Sequence, residues 1–157
     1  MKIKYKIYTD GATSNNKKGE GIGGYAFVIT KDNEELCSDY DNEKNTTNNI
    51  CELKGLIFAC QTMENILVNE SEEALCEFYT DSAYIHNCYK DKWYKNWQLN
   101  GWENSKGLPV ANRELWEQLI PFFHKEYFEF YKVKGHNGDK WNEYVDKLAV
   151  KAREESR

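Results

Sequence analysis

The tripeptide Tyr-Thr-Asp occurs twice, at Tyr8-Thr9-Asp10 and Tyr79-Thr80-Asp81, each time closing a β-type run and entering small or turn-forming residues. Two strands therefore each deliver a carboxylate at their C-terminal end. In an α/β sheet that edge collects ligands and catalytic groups, because the loops leaving it carry chemistry while the strands hold position. The pair reads as half of a metal site. Either aspartate alone would serve equally well to start a turn or cap a helix. Two further acids in helical settings, Glu52 and Asp146, shift the balance, since four converging carboxylates are not explained as caps.

Glu52 sits beside an apolar stripe and shares its helix face with Gly55, Leu56 and Ala59 at the i+3, i+4 and i+7 positions. The small neighbours let this helix approach a sheet closely. An acid there must reach solvent, a base or a cation, because burying it unpaired is costly. A boundary acid paired with a nearby lysine is the alternative. Further on, Lys134-Gly135-His136-Asn137-Gly138 is a glycine-flanked histidine loop after a strand. Asp139 can cap the following helix, which carries Asn142 and Asp146 four residues apart on one face. A histidine beside an acid-bearing helix suits proton transfer, although by itself it reads equally as an exposed turn residue. His86, on a short helix, and His124, at a helix end, are given no catalytic part.

The elements that must position these groups follow from periodicity. Residues 3 to 9 alternate Ile3, Tyr5 and Ile7 against Lys4, Lys6 and Tyr8, the period of a half-buried strand. Asp10 falls on the Lys6/Tyr8 side. Turn chemistry at 15 to 21 leads to strands at 24 to 30 and 35 to 40, an antiparallel meander. From 47 to 67 the apolar positions Ile50, Leu53, Leu56, Ile57, Cys60, Met63 and Leu67 form a helical stripe. Strands are expected at 75 to 80 and 127 to 133, and helices at 82 to 89, 113 to 124 and from 139 to about 151. Three strands followed by alternating helices and strands imply an α/β fold, a five-stranded mixed sheet with helices on both faces.

Composition sets the outer limits. At 157 residues and 18.5 kDa, with neither a Pro-rich nor a Gly/Ser-rich linker, residues 1 to 157 read as one domain. The N-terminus alternates charged and apolar side chains, and no stretch has the length of a signal core or a membrane span. No membrane association and a cytoplasmic location are expected. Five cysteines without a C-x-x-C pairing fit neither a disulfide framework nor a zinc site, so reduced, mostly buried thiols are expected. With 26 acids against 21 lysines and arginines, net charge −5, the chain as a whole has no electrostatic footprint for nucleic acid. Such binding would have to be local or metal-assisted.

Four segments together resemble type 1 ribonuclease H. They are Tyr8-Thr9-Asp10-Gly11-Ala12, Thr46-Thr47-Asn48-Asn49-Ile50-Cys51-Glu52-Leu53, Tyr79-Thr80-Asp81-Ser82, and Lys134-Gly135-His136 through Asn142-Glu143 and Asp146-Lys147-Leu148-Ala149. Their order matches the family, and they span nearly the whole chain. The resemblance implies a ribonuclease H-like fold in which Asp10, Glu52, Asp81 and Asp146 hold metal and His136 assists proton transfer or product release. It implies hydrolysis of the RNA strand of an RNA–DNA hybrid, leaving 3′-hydroxyl and 5′-phosphate ends, by a protein expected to be a monomer. Hard carboxylate oxygens suit two Mg²⁺ or Mn²⁺ ions. Hybrid discrimination needs contacts to sugars and backbone rather than base edges. Asn16, Thr47, Asn48 and Asn49 are suited to those contacts, with helix capping and turn formation as the competing roles. Asn142 can steady the substrate or the histidine loop, or be an ordinary helix amide. Residues 93 to 102 resemble the family's handle for the DNA strand, where Trp93 can pack on a deoxyribose; Trp97 and Trp102 are expected instead to form a satellite core.

The chain departs from the family in three places. Gln98-Leu99-Asn100 replaces a denser basic cluster, Ala83 stands where many members have a glutamine, and Lys17-Lys18-Gly19-Glu20 lengthens the turn after the first strand. Two other readings remain at the level of sequence: a hybrid-binding protein without catalysis, and another nuclease or strand-transfer enzyme of the same fold. Fold analogy alone does not separate them.

Overall fold

The computed structural model describes residues 2–133 and 139–156. Three strands come first: β1 (Ile3–Asn15), β2 (Gly21–Lys31) and β3 (Glu34–Lys44). Helix α1 (Asn48–Val68) and strand β4 (Ala74–Thr80) follow, then α2 (Ala83–Asp91), α3 (Trp93–Asn100) and α4 (Arg113–Phe123). Strand β5 (Phe128–Lys132) and helix α5 (Lys140–Glu155) complete the described chain. The sheet order is β3-β2-β1-β4-β5. The β1/β2 and β2/β3 pairs are antiparallel, whereas β1/β4 and β4/β5 are parallel. The expected mixed sheet is thus present, and its helices lie on both faces.

The two faces carry different loads. Tyr5 and Ile7 of β1, Phe27 and Ile29 of β2 and Phe78 of β4 join the stripe Leu53, Leu56, Cys60 and Met63 of α1, together with α2 and α4, in the main core. On the opposite face Tyr8, Ala26 and Val28 pack against Trp141, Val145 and Ala149 of α5. Both parities of β1 are therefore buried at its centre, which makes Tyr8 a core residue rather than the solvent-facing partner expected of a half-buried strand. Close approach is built in. A Cβ on Gly55 would stand 3.3 Å from the Asp10 carbonyl oxygen, and one on Gly24 would stand 2.3 Å from both the Ala149 carbonyl oxygen and the Arg153 nitrogen. Only glycine at 24 lets α5 lie at this depth, since real Cβ contacts do not reach that distance.

Trp97 and Trp102 do pack together, with centroids 5.8 Å apart, but Trp97 also meets the fully buried Trp116 at 5.5 Å. The expected satellite core is continuous with the main one. Trp93 is half-buried and leans on Trp97 at 6.4 Å. All five cysteines are free thiols, four of them buried.

Candidate active site

β1 and β4 run parallel, with Tyr8 opposite Tyr79 as their last paired residues, so Asp10 and Asp81 lie side by side just beyond that register. Past it β1 continues through Asp10 to Asn15 on its β2 side, which fixes the Asp10 backbone. Asp81 instead precedes α2, whose N-cap Ser82 accepts from the Ile85 N–H at 3.2 Å. Glu52 arrives from the second turn of α1, beneath an N-cap formed by Thr47, whose Oγ1 accepts from the Ile50 N–H at 3.2 Å. One carboxylate oxygen each of Asp10, Glu52 and Asp81 lies within 4.8 Å of the other two. Asp146 borders the same cavity from α5 and adds its charge to the surroundings of Asp10. Among the described residues, this is the acid cluster with metal-ligand spacing.

Asp10 and Glu52 are each only 4% exposed, whereas Asp81 is more accessible. Burial pushes the Asp10 carboxyl up to about 8, reinforced by the Asp81 charge and by Asp146, against a lowering contribution from the Gly11 N–H. That N–H donates to Asp10 Oδ1 at 2.9 Å. Burial also drives Glu52 well above the usual carboxylate range, followed by the charges of Asp81 and Asp10. The physical cause is one: like charges crowded in a site that water barely enters. Glu52 Oε2 is buried and has no hydrogen-bond partner. A lone buried carboxylate oxygen is normally satisfied by a donor or a cation. The donor set is all oxygen, the pattern hard divalent ions prefer. The residues present fit a metal.

The cavity holds about 390 Å³, and Asn48, Asn49 and Tyr84 line it with the acids. Of the groups expected to meet substrate, Asn48 and Asn49 thus flank the acids, while Thr47 caps α1. Asn16 is engaged in the β1–β2 turn: its Oδ1 accepts from the Lys18 and Glu20 N–H groups and its Nδ2 donates to Glu20. Asn142 is 4% exposed, one helical turn before Asp146, and its N–H donates to the N-cap Asp139. Trp93 stands on α3, away from the acid cavity. His136 lies outside the described residues. Sequence reasoning does not reach Tyr84 or the Gly11 N–H; the i+3 spacing of Tyr84 from Asp81, at a helix start, is the signal that could have found the tyrosine.

A mixed sheet in the order 3-2-1-4-5, with acids from β1, α1, β4 and α5 meeting at one cavity, defines a domain of the ribonuclease H-like fold with a carboxylate site suited to divalent metal. A family model described as RNase H matches residues 2–154. The chain is 37% identical over 154 residues to "Ribonuclease H" of Clostridium botulinum, covering 97% of each. It is 40% identical over 148 residues to "Ribonuclease H" of Syntrophomonas wolfei, covering 93% of each. Among solved structures, the foamy viral protease-reverse transcriptase in complex with RNA/DNA hybrid superposes with a TM-score of 0.81 at 18% identity, over 97% of this chain and 20% of that one. The chain belongs to the RNase H family, whose reaction is divalent-metal-dependent hydrolysis of the RNA strand of RNA–DNA hybrids.

Proposed function

We propose that residues 1–157 act as a single catalytic domain that binds an RNA–DNA hybrid and cuts its RNA strand endonucleolytically, with Asp10, Glu52, Asp81 and Asp146 as the metal-binding carboxylates. The observation that carries this reading is the meeting of Asp10, Glu52 and Asp81 within 4.8 Å, with a buried, unpartnered oxygen on Glu52. Two Mg²⁺ ions, or Mn²⁺ in their place, would stabilise the attacking and leaving oxygens of an in-line displacement at phosphorus. The remaining work belongs to the protein. β1 and β4 hold Asp10 and Asp81 at fixed spacing, Thr47 fixes the start of α1 and so Glu52, and the Gly24 contact seats α5 and so Asp146. Water attacks phosphorus, the P–O3′ bond breaks, and the products are a 3′-hydroxyl and a 5′-phosphate. His136 is assigned the proton transfer or the release of product.

Asn48 and Asn49, beside the acids, are placed to meet ribose and phosphate groups, and Asn16, Thr47, Trp93 and Asn142 complete the proposed substrate contacts. Unpaired thiols fit a reducing compartment, and we assign the protein to the cytoplasm as a monomer; among the described residues no helix is long and apolar enough to cross a membrane. The test is a substrate panel in Mg²⁺: a strand-labelled hybrid, duplex RNA, duplex DNA and single-stranded RNA. Cleavage confined to the RNA of the hybrid is expected. Cleavage of duplex DNA would move the assignment to another nuclease of this fold, and hybrid binding without cleavage to a binding protein.

A further inference from the structure

Between Asp10 and Asp81 the sheet forks. The β1/β4 ladder ends at Tyr8 opposite Tyr79. Beyond it β1 stays paired with β2 as far as Asn15, while the chain leaves β4 at Thr80 and turns into α2. The two aspartates stand one on each arm, with carboxylate oxygens within 4.8 Å of each other. Like charges that close repel, so without a cation the arms are driven apart. The polar link across the fork is slight, a Thr9 Oγ1 donating to the Tyr79 carbonyl oxygen at 3.5 Å.

Aromatic rings stand at the root of the fork. Tyr8 and Tyr79 stack with centroids 5.0 Å apart and planes 16° from parallel, and Tyr79 stacks in turn on Tyr131 of β5 at 5.5 Å and 23°. Asp10 lies two residues after Tyr8 and Asp81 two after Tyr79, so by the two-residue period of a strand the ring row and the acids share one face of the sheet. The main core takes the other face, with Ile7 and Phe78. Tyr8 is buried with the α5 side chains, Tyr79 is half-buried beside them, and Tyr131 is 38% exposed. The hydroxyls are tied down as well: Tyr79 donates to Glu77 at 3.0 Å, Glu77 pairs with Lys4 at 3.8 Å, and Tyr131 donates to Glu129. A row that runs from beneath α5 into solvent buries little at its outer end. What it fixes is the spacing of the strands that carry it.

We propose that Tyr79, stacked between Tyr8 and Tyr131, is a positioning residue that holds the β1 and β4 arms together against the repulsion of Asp10 and Asp81, and so sets the affinity of the acid cluster for divalent metal. The inference rests on the metal-dependent reading above. Tyr79 acts through the two strands rather than on the metal or the substrate.

The test uses the full chain freed of metal by EDTA and dialysis. Mn²⁺ binding is followed by the electron paramagnetic resonance signal of the free ion, and Mg²⁺-dependent cleavage of a labelled hybrid is measured beside it. Tyr79→Val keeps a strand-favouring side chain and removes both stacks, whereas Tyr79→Phe keeps the ring and removes the hydroxyl. Tyr131→Val removes only the outer stack, and Ile120→Val, in the main core on α4, is a destabilised control. Tyr79→Val is expected to weaken Mn²⁺ binding roughly three- to tenfold, the range that loss of an aromatic stack supplies. The half-saturating Mg²⁺ for cleavage should rise by the same factor, with the rate at saturating Mg²⁺ unchanged. Tyr79→Phe should bind Mn²⁺ as the parent does, Tyr131→Val should weaken it by a smaller factor, and Ile120→Val should lower Tm with affinity unchanged. Parental Mn²⁺ affinity in a folded Tyr79→Val protein would overturn the positioning role and leave the nuclease reading intact. If Tyr79→Val does not fold, Tyr131→Val decides, and parental affinity there would overturn the role. Affinity that depends on the ring at 79 in a protein that cuts no hybrid would support the role and overturn the nuclease reading. A parent that binds no Mn²⁺ would overturn the metal site and the inference with it.

Discussion

Replacing Asp10 by Asn should stabilise the metal-free protein, and the pH dependence of that gain tests the electrostatic account of the site. In the fold the Asp10 carboxyl is pushed up to about 8 by burial and by Asp81, from an ordinary value of 3.8. A carboxyl raised in the native state leaves the protein fully stable below the unfolded value, and stability is lost as pH rises through the folded one. At pH 7 the separation corresponds to about 4 kcal/mol, at about 1.4 kcal/mol per tenfold change in proton affinity. Asp10 is 4% exposed, so solvent screening removes little of this. The proton is shared among neighbouring carboxyls, so a single substitution recovers part of it, roughly 2 to 3 kcal/mol. Asn keeps the shape, its oxygen still accepts from Gly11, and its amide can donate where the shared proton did. For a chain of this length the gain corresponds to roughly 4 to 10 °C in Tm. Thermal unfolding in EDTA from pH 4 to 9 should show the two proteins converging near pH 4 and separating towards pH 8. Adding Mg²⁺ at pH 8 should narrow the gap by stabilising the parent. An Asp10→Asn protein equal to or less stable than the parent at pH 8 in EDTA would refute the reasoning.

Three further substitutions have expected outcomes. Gly24→Ala forces a Cβ to within 2.3 Å of α5 backbone atoms and should cost roughly 2 to 3 kcal/mol in urea unfolding, with hybrid cleavage falling because Asp146 rides on that helix. Thr47→Ala removes the side-chain cap of α1 and should cost about 1 kcal/mol by the same measurement. His136→Ala should slow turnover far less than Asp146→Asn in single-turnover cleavage, because a proton can pass through water whereas a missing metal ligand is not replaced.

Much of the site was legible because its chemistry sits on strongly patterned elements. Asp10 ends the alternating part of β1, although the strand itself runs on to Asn15, Asp81 directly follows β4, Glu52 flanks a helical stripe, and Asp139 announces the helix that bears Asp146. The ends of strands were less legible. β1 continues through Gly11-Ala12-Thr13-Ser14-Asn15, a small and polar run without alternation, because its pairing with β2 is set by the partner strand and by the close approach of α1 rather than by its own side chains. β3 likewise runs on to Lys44 through Asp41-Asn42-Glu43, residues of low strand propensity held by the ladder. Periodicity also underrated the α5 face, since Tyr8 reads as an outward residue until α5 is seen to cover it. The competing roles of Asn16 and Thr47 were visible, but only side-chain geometry could show Asn16 bonded within its own turn and Thr47 at the cap.

The most direct measurement is cleavage of an RNA-labelled hybrid as Mg²⁺ is restored to EDTA-treated protein, comparing the parent with Asp81→Asn after both are shown folded by circular dichroism. The account predicts that the parent cuts the RNA strand only once Mg²⁺ is present, and that Asp81→Asn loses at least about two orders of magnitude in rate. A parent that cuts equally well in EDTA, or an Asp81→Asn protein that cuts at the parental rate, would contradict it.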